Sequence, residues 1–341
     1  MKKTAIYLVI LIVLAGLGYY IIKENNDSGT ISKKDQDFAI EDISKIGKIR
    51  LADKENNVVV FEKKDNQWLL NDKYEPRQAE LELLLNTMRN IRVKTPVSKS
   101  ARNNVIRSMS GRHTLVEVFD QKGKPMKSYF VGGVTTSGVG NYMKMKNSEH
   151  LFEVYIPGFD GHVETRYFTD QEDWRSRKIF AYEPGTIESI LVDYINKPEE
   201  SFILTVVSRD SFNVARLNDN NSTANKSIDE RAANSFLSHF QKVHAEAFVN
   251  HVINEQAVLA SEPIVIMKVR DIHGKENEIK IYSKPVSKRT KQQFDPQGTE
   301  MEYDRERFYA LINDGDDWVI IQEFVFGKLF VTYSYFLEKP V

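Results

Sequence analysis

Cysteine is absent from this chain of 341 residues. That excludes a disulfide scaffold, a cysteine nucleophile, thiolate zinc sites and iron–sulfur clusters. It also excludes a lipid-modified N-terminal cysteine. An excess of positive charge is missing too, since 47 Lys and Arg meet 48 Asp and Glu for a net charge of −1. A general nucleic-acid binder would carry a basic footprint, so no nucleic acid is expected as a partner. Among the seven histidines there is no His-x-His or His-Glu-x-x-His pair. A Gly-x-Ser-x-Gly elbow and a Gly-Lys-Ser/Thr phosphate loop are likewise missing. The sequence therefore marks no catalytic residue, no metal site and no cofactor, and the chain is expected not to be an enzyme. Paired carboxylates of the glycosidase kind leave no fixed spacing, which keeps an envelope hydrolase open as a third reading.

What is present begins with one long apolar run. Residues 5–22 (AIYLVILIVLAGLGYYII) hold eighteen positions without a charge. As a helix they would span about 27 Å, close to the roughly 30 Å of a bilayer core. Lys2 and Lys3 precede the run, and Lys23, Glu24 and Asp27 follow it. The flanking cations favour an N-terminus in the cytoplasm. A cleaved signal peptide is the rival, with Ala15-Gly16-Leu17-Gly18 as its one cleavage candidate, but the apolar run exceeds the usual length. Both readings put the bulk of the chain outside the cytoplasm. The expected location is the inner (cytoplasmic) membrane, single-pass, with a periplasmic body. Residues 23–41 are polar and read as a flexible tether.

At 41% hydrophobic the remainder is long enough for about two domains, and it reads as one plan written twice. Apolar runs at 43–51, 58–62 and 68–70 are answered by runs at 187–193, 202–207 and 213–216. A helix follows each set. The first opens at Pro76 and carries Ala79, Leu81, Leu83, Leu84, Leu85 and Met88. The second opens on the capping-box pattern Ser227-Ile228-Asp229-Glu230 and carries Ala232, Ala233, Phe236, Leu237, Phe240 and Val243. Extended runs at 91–97 and 247–253 and short helices at 101–109 and 255–260 come next. Then Val116-Glu117-Val118-Phe119-Asp120-Gln121-Lys122-Gly123-Lys124 parallels Met267-Lys268-Val269-Arg270-Asp271-Ile272-His273-Gly274-Lys275. The endings, 163–168 and 331–336, are also alike. The expected fold class is α+β: an N-terminal transmembrane helix followed by two similar antiparallel-sheet-plus-helix repeats. The expected parts are an anchor (1–22), a tether (23–41), a first repeat (42–168), a connector (169–186) and a second repeat (187–338). Residues 218–226 read as an Asn-rich loop.

Two features are candidates for contact. Between residues 83 and 116 there is no Asp or Glu, while Arg89, Arg92, Lys94, Lys99, Arg102, Arg107 and Arg112 are all basic. Since the chain is net −1, the rest of it is acidic. Arg92, Lys94, Lys99, Arg102, Arg107 and Arg112 form the candidate anion- or partner-binding set. The alternative is a solvated face whose charges are compensated by acids elsewhere. A second acid-free stretch, 279–293, holds Lys280, Lys284, Lys288, Arg289 and Lys291. The other feature is the loop bearing Gly132, Gly133, Thr135, Thr136, Gly138 and Gly140. It is followed by an alternating Tyr142-Met143-Lys144-Met145 and not by a helix, so it reads as a strand–strand connection with contact potential rather than a phosphate cradle.

Several strings resemble a known family. They are Asp42-Ile43-Ser44-Lys45-Ile46, the run from Pro96 to Ile106 (PVSKSARNNVI), Tyr129-Phe130-Val131-Gly132-Gly133, Ile156-Pro157-Gly158-Phe159, Arg166-Tyr167-Phe168 and Asp173-Trp174-Arg175-Ser176-Arg177. Together they resemble the bacterial domain-of-unknown-function family 4340, closely over residues 38–180 and loosely over the second repeat. Asn141 departs from the pattern, where a Thr is expected before Tyr-Met. The resemblance implies a single-pass protein with its domain outside the cytoplasm, in some members beside ABC-type transport systems related to gliding-motility auxiliary components. It brings no catalytic residues. The expected function is a non-catalytic, membrane-anchored accessory or scaffold protein of a membrane complex, of the ABC-type transporter or gliding kind. The alternative is a binding module for an anionic envelope ligand, a lipid head group or a cell-wall polymer.

Overall fold

The computed structural model describes residues 12–16, 32–209, 211–217 and 228–337. Of the expected anchor, only 12–16 falls among them, and it is helical. The rest of the anchor, the tether up to residue 31 and the Asn-rich loop at 218–226 lie outside the described residues. No helix among the described residues is long and apolar enough to cross a membrane. The chain divides into two compact units, Met1–Ser176 and Arg177–Val341.

The first unit is an antiparallel sheet of eight strands: β1 (Ile46–Ala52), β2 (Val58–Lys64), β3 (Gln67–Leu70), β4 (Arg92–Pro96), β5 (Thr114–Asp120), β6 (Pro125–Val134), β7 (Asn141–Met145) and β8 (Phe152–Tyr155). Their order across the sheet is β3-β2-β1-β5-β6-β7-β8-β4. Strand alternation explains the two faces. Ile49, Leu51, Val116, Val118, Tyr129, Val131 and Met143 point to one face and are buried, while Arg50 and Glu117 point to the other. Asp65 and Asn66, both at positive φ, close the β2–β3 hairpin in the way short Asx-rich turns do.

Helix α1 (Gln78–Asn90) leaves the β3 edge and returns at the β4 edge, so it crosses the buried face. Leu81, Leu84 and Met88 supply its apolar stripe. The expectation that Pro76 begins this helix is corrected: Arg77 is the N-cap, without a side-chain cap, and Pro76 bridges to Arg175. Helix α2 (Lys99–Gly111) runs from β4 back to β5 on the opposite face. There Val105 and Met109 pack with Tyr142 and Leu151, and with the half-buried Val97 and Phe130.

The fold begins before Asp42. Phe38 and Ile40, inside the stretch read as tether, are buried, and the Ile40 amide donates to the Met88 carbonyl at 2.9 Å. At the other end, helix α3 (Gln171–Trp174) brings Trp174 into the first core against Phe61 and Phe168.

The second unit adds β9 (Lys178–Phe180), β10 (Ile187–Tyr194), β11 (Phe202–Ser208), β12 (Ser211–Arg216), α4 (Glu230–Ser238), β13 (Val243–His244), β14 (Ala247–Phe248), α5 (Glu255–Leu259), β15 (Val265–Asp271), β16 (Glu276–Pro285), β17 (Tyr303–Ile312), β18 (Asp317–Gln322) and α6 (Glu323–Phe326). Its eight-stranded sheet runs β12-β11-β10-β15-β16-β17-β18-β14. That is the first sheet's order, strand for strand. The irregularities agree as well. The β1–β5 register shifts between Ile46 and Lys48, and the β10–β15 register shifts between Ile187 and Ser189. The opening segments also match: Phe180 is buried like Phe38, and the Tyr182 amide donates to the Phe240 carbonyl as Ile40 does to Met88.

Three expectations for this unit are corrected. The helix stops at Ser238, because Val243 is drawn into pairing with Phe180 in the small β13–β9 sheet. Its N-cap is Asp229, which accepts from the amides of Arg231 and Ala232, while Ser227 lies outside the described residues. The endings diverge, with Tyr167 buried but Tyr335 exposed, Phe336 taking the core position.

Candidate functional site

Ser98 opens α2, its side chain accepting from the Ala101 amide at 3.3 Å, as N-cap serines do. Because Val105 and Met109 hold the helix to the sheet, Lys99, Arg102 and Arg107 are left on its solvent side, and all three are exposed, as is Arg112 just past its end. Arg92 and Lys94 are exposed on the edge strand β4. The structure thus places the six candidates along one helix, the strand leading into it and the residue that follows it.

Their partners are few. Arg102 donates to the Glu149 carbonyl at 3.1 Å and lies 3.5 Å from its carboxylate. Arg92 turns its guanidinium to the carbonyls of Arg89 and Ile91, at 2.9 and 2.8 Å. Lys94, Lys99, Arg107 and Arg112 make no ion pair among the described residues. Compensation by acids elsewhere therefore holds for Arg102 alone. In the second acid-free stretch it holds more widely: Lys280 meets Glu278 at 3.3 Å, and Lys284 is buried against Asp304 at 3.1 Å.

The glycine loop joins β6 to β7. A Cβ at Gly132 would stand 2.6 Å from the Met109 Cγ, and one at Gly140, whose φ is +83°, would strike the Val154 carbonyl. Gly138 turns at φ +76°. Thr135 is buried and donates to the Val139 carbonyl at 2.8 Å, so the loop is closed on itself. Gly133 has open space around it, and Thr136 is exposed. Buried Asn141 holds the base, donating to the Gly132 carbonyl (3.1 Å) and to Glu164, and accepting from the Val163 amide (2.6 Å). A threonine there could not make all three bonds.

Arg112, Gly132 and Gly133 do meet, along one wall of a cleft of about 520 Å³ that also holds Asp53, His113, Glu164 and Thr169. Three of its four carboxylates are engaged: Asp53, Glu164 and Asp170, which accepts from the Glu172 amide at 2.8 Å, while Glu55 is exposed. Asp53 accepts from the Glu55 and Asn57 amides, the Asn57 Nδ2 and the Thr169 hydroxyl at 2.7–3.0 Å. Burial pushes its pKa up, but the Thr169 and Asn57 bonds outweigh that and hold the carboxyl below its ordinary value. Glu164 is the acceptor for Asn141. His113 places Nδ1 2.8 Å from the Met109 carbonyl. No group of three His, Asp or Glu among the described residues could hold a metal.

A second recess, about 290 Å³, lies between α2 and the outward face of β6 and β7. Ile106, Met109, Phe130 and Leu151 line it, with Arg102, Lys144 and Glu149 at its margin. The sequence reading missed Ile106 and Lys144 here. The signal was available in the β6–β7 register, since Phe130 pairs with Lys144 and the two must share a face.

The internal repeat supplies a comparison. Helix α5 occupies in the second unit the place of α2, after the edge strand and before the central one. Its segment, residues 254–262 (NEQAVLASE), contains no Lys or Arg. The shared scaffold does not require cations there. Against known proteins, no family model matches the chain, and no curated protein or solved structure shows significant similarity to it.

Proposed function

We propose that this chain is a non-catalytic accessory protein, anchored by residues 5–22 in the cytoplasmic membrane with its N-terminus inside and its two units outside. The first unit presents α2 to an acidic surface of a membrane protein complex. One observation carries this reading: the cations of α2 are exposed, mostly unpaired, and absent from the same place in the second unit. Exposed charges that fold formation does not need are what steer and orient an encounter. Asp53, Glu164 and Asp170 of the neighbouring cleft serve its internal bonds, which is the use a scaffold makes of them. The resemblance to family 4340 adds the anchor, the extracytoplasmic location and an ABC-type transporter as the kind of complex.

The same cations favour a second reading, a binding module for an anionic envelope ligand such as a lipid head group or cell-wall polymer. One experiment separates the two. Full-length protein, an Arg102→Glu, Arg107→Glu, Arg112→Glu variant and an anchor lacking residues 42–341 are cross-linked in native membranes and purified in mild detergent. A stoichiometric membrane protein captured by the first and lost from the other two supports the accessory role. Capture no better than the anchor control, with retention of the full chain on anionic vesicles or glycan, replaces it with ligand binding. Capture unchanged by the charge reversal overturns the assignment to α2.

A further inference from the structure

We infer that the recess beside α2 is a docking groove for an acidic peptide segment of a partner protein, which inserts one large apolar side chain and sets carboxylates against Arg102 and Lys144. This rests on the reading of α2 as the partner-facing surface, and adds what the partner must look like.

The groove has an apolar floor and a cationic margin. Met109 and Leu151 are buried at its base, Phe130 forms a wall, and Ile106 is 41% exposed at the lip. An apolar residue left half-open inside a ring of polar ones is the pattern of an anchor pocket, in which one inserted side chain supplies most of the affinity. Lys144 stands 5.8 Å from the centroid of the Phe130 ring, so its charge lies directly over the apolar wall.

The protein itself indicates the chemistry that suits the margin. Glu149, from the connection between β7 and β8, reaches Arg102 with its carbonyl at 3.1 Å and its carboxylate at 3.5 Å. The Glu149 side chain is nevertheless 88% exposed. A carboxylate therefore already sits at this cation, loosely enough for a partner's carboxylate to replace it. Exposed pairs of this kind are held by little free energy.

The shape favours a peptide over a bilayer. A membrane surface is met by protruding apolar side chains among cations, whereas here most of the apolar atoms (Met109, Leu151 and Phe130) lie inside a recess. Peptide recognition by an apolar anchor in a groove with charges on its rim is a recurring mode.

The test uses the full chain in nanodiscs of zwitterionic lipid and three labelled dodecapeptide probes. The first alternates Glu and Gly around a central Phe-Leu pair, the second replaces Glu by Lys, and the third replaces Phe-Leu by Ala-Ala. Binding of the first probe alone is expected, weakened about tenfold or more by Ile106→Glu or Lys144→Glu and less than about threefold by Arg107→Glu, which lies off the groove. Thermal unfolding of each variant checks that it is folded. Equal binding of the Phe-Leu and Ala-Ala probes overturns the groove and leaves a purely electrostatic face. No peptide binding, with retention on phosphatidylglycerol vesicles, assigns the surface to lipid instead. If neither these probes nor the membrane partner respond to any of the cations, the groove and the α2 assignment fail together.

Discussion

Asp120 and Asp271 hold the same turn in the two units. Each carboxylate accepts from the amides two and four residues on, at 2.8 and 2.9 Å for Asp120 and 2.9 Å for both bonds of Asp271. Each main-chain amide donates at 2.9 Å to the carbonyl of the closing lysine. Gly123 and Gly274 complete the pair at φ +79° and +80°. Loss of either carboxylate removes two turn bonds at a partly exposed site, worth about 1 kcal/mol. Asp120→Ala and Asp271→Ala are therefore expected to lower the melting temperature of their own unit by roughly 2–4 °C each. Differential scanning calorimetry checks this, and a shift confined to one variant would contradict the equivalence of the turns.

Gly132 is a packing residue before it is a loop residue. Its Cα faces Met109, with no room for a Cβ. Gly132→Ala is expected to push α2 from the sheet and cost about 1–3 kcal/mol. Met109→Ala alone leaves a void and also destabilises. Combined, the smaller side chain makes room for the added methyl, so the double variant should be more stable than the sum of the singles predicts. Urea unfolding of the four proteins gives the coupling. Simple additivity would show that the clash is relieved elsewhere.

Much of this architecture was legible because the apolar alternation of strands such as 58–62 and 187–193 and the helical stripe of 81–88 are local signals. The Asp-x-x-Gly match was weaker evidence than it looks. Asp295 makes the same turn with Gly298, and Asp53 makes it with Asn56 at positive φ, so it is a general hairpin device here. The common strand order and the matching register shifts are better evidence of repetition, and neither is visible without pairing. Phe38 reads as tether because its polar neighbours hide a single buried ring, although Phe38-Ala39 and Phe180-Ala181 repeat. The spacing of Val243 fits a helix, but its long-range pairing with Phe180 overrides that signal. At the site, the exposed cations could be named from the acid-free run. The recess could not, since it depends on α2 covering only part of the outward face of the sheet.

Glu117 makes the first unit sensitive to acid. It accepts from Lys146 Nζ at 2.8 Å and Arg50 Nη1 at 2.9 Å. The Lys146 bond, with Arg50 behind it, holds the carboxyl below the ordinary 4.5 even though partial burial pushes upward. A carboxyl whose pKa is lower folded than unfolded stabilises fully above the unfolded value and loses that contribution as pH falls through the folded one. Glu117→Gln should therefore cost about 1 kcal/mol at pH 7. The gap from the parent should begin to close below 4.5 and vanish at lower pH. Urea unfolding at a series of pH values reads this directly, and a gap independent of pH would mean that Glu117 acts through packing.

Arg107 provides the opposite expectation. It is exposed on α2 and makes no ion pair among the described residues. Arg107→Glu should leave stability within about 0.5 kcal/mol of the parent, while reducing partner capture and the salt sensitivity of that capture. A large loss of stability would show that the cation serves the fold, and would move the weight of the functional reading off α2.

Lys284 and Asp304 pin the connection between β16 and β17 from inside. Both are nearly fully buried; Asp304 accepts from Lys284 at 3.1 Å and Thr290 at 3.2 Å through one oxygen and from the Glu306 amide at 3.0 Å through the other. Burial alone would raise the Asp304 pKa, but the Glu306 amide and Lys284 outweigh it and hold the carboxyl below its ordinary value. Lys284→Met removes the cation and leaves a buried carboxylate with two neutral donors, expected to cost about 3 kcal/mol at neutral pH. Since a protonated Asp304 no longer needs the cation, that penalty should shrink as the pH falls through the carboxyl's titration. Adding Asp304→Asn to Lys284→Met should recover part of the loss at pH 7, because the uncompensated charge is gone while the amide oxygen still accepts from Glu306 and the amide NH2 can donate to the Thr290 hydroxyl. Urea unfolding of the parent, single and double variants decides the matter. A double variant no more stable than Lys284→Met alone would show that the aliphatic stem of the lysine, and not its charge, holds the connection in place.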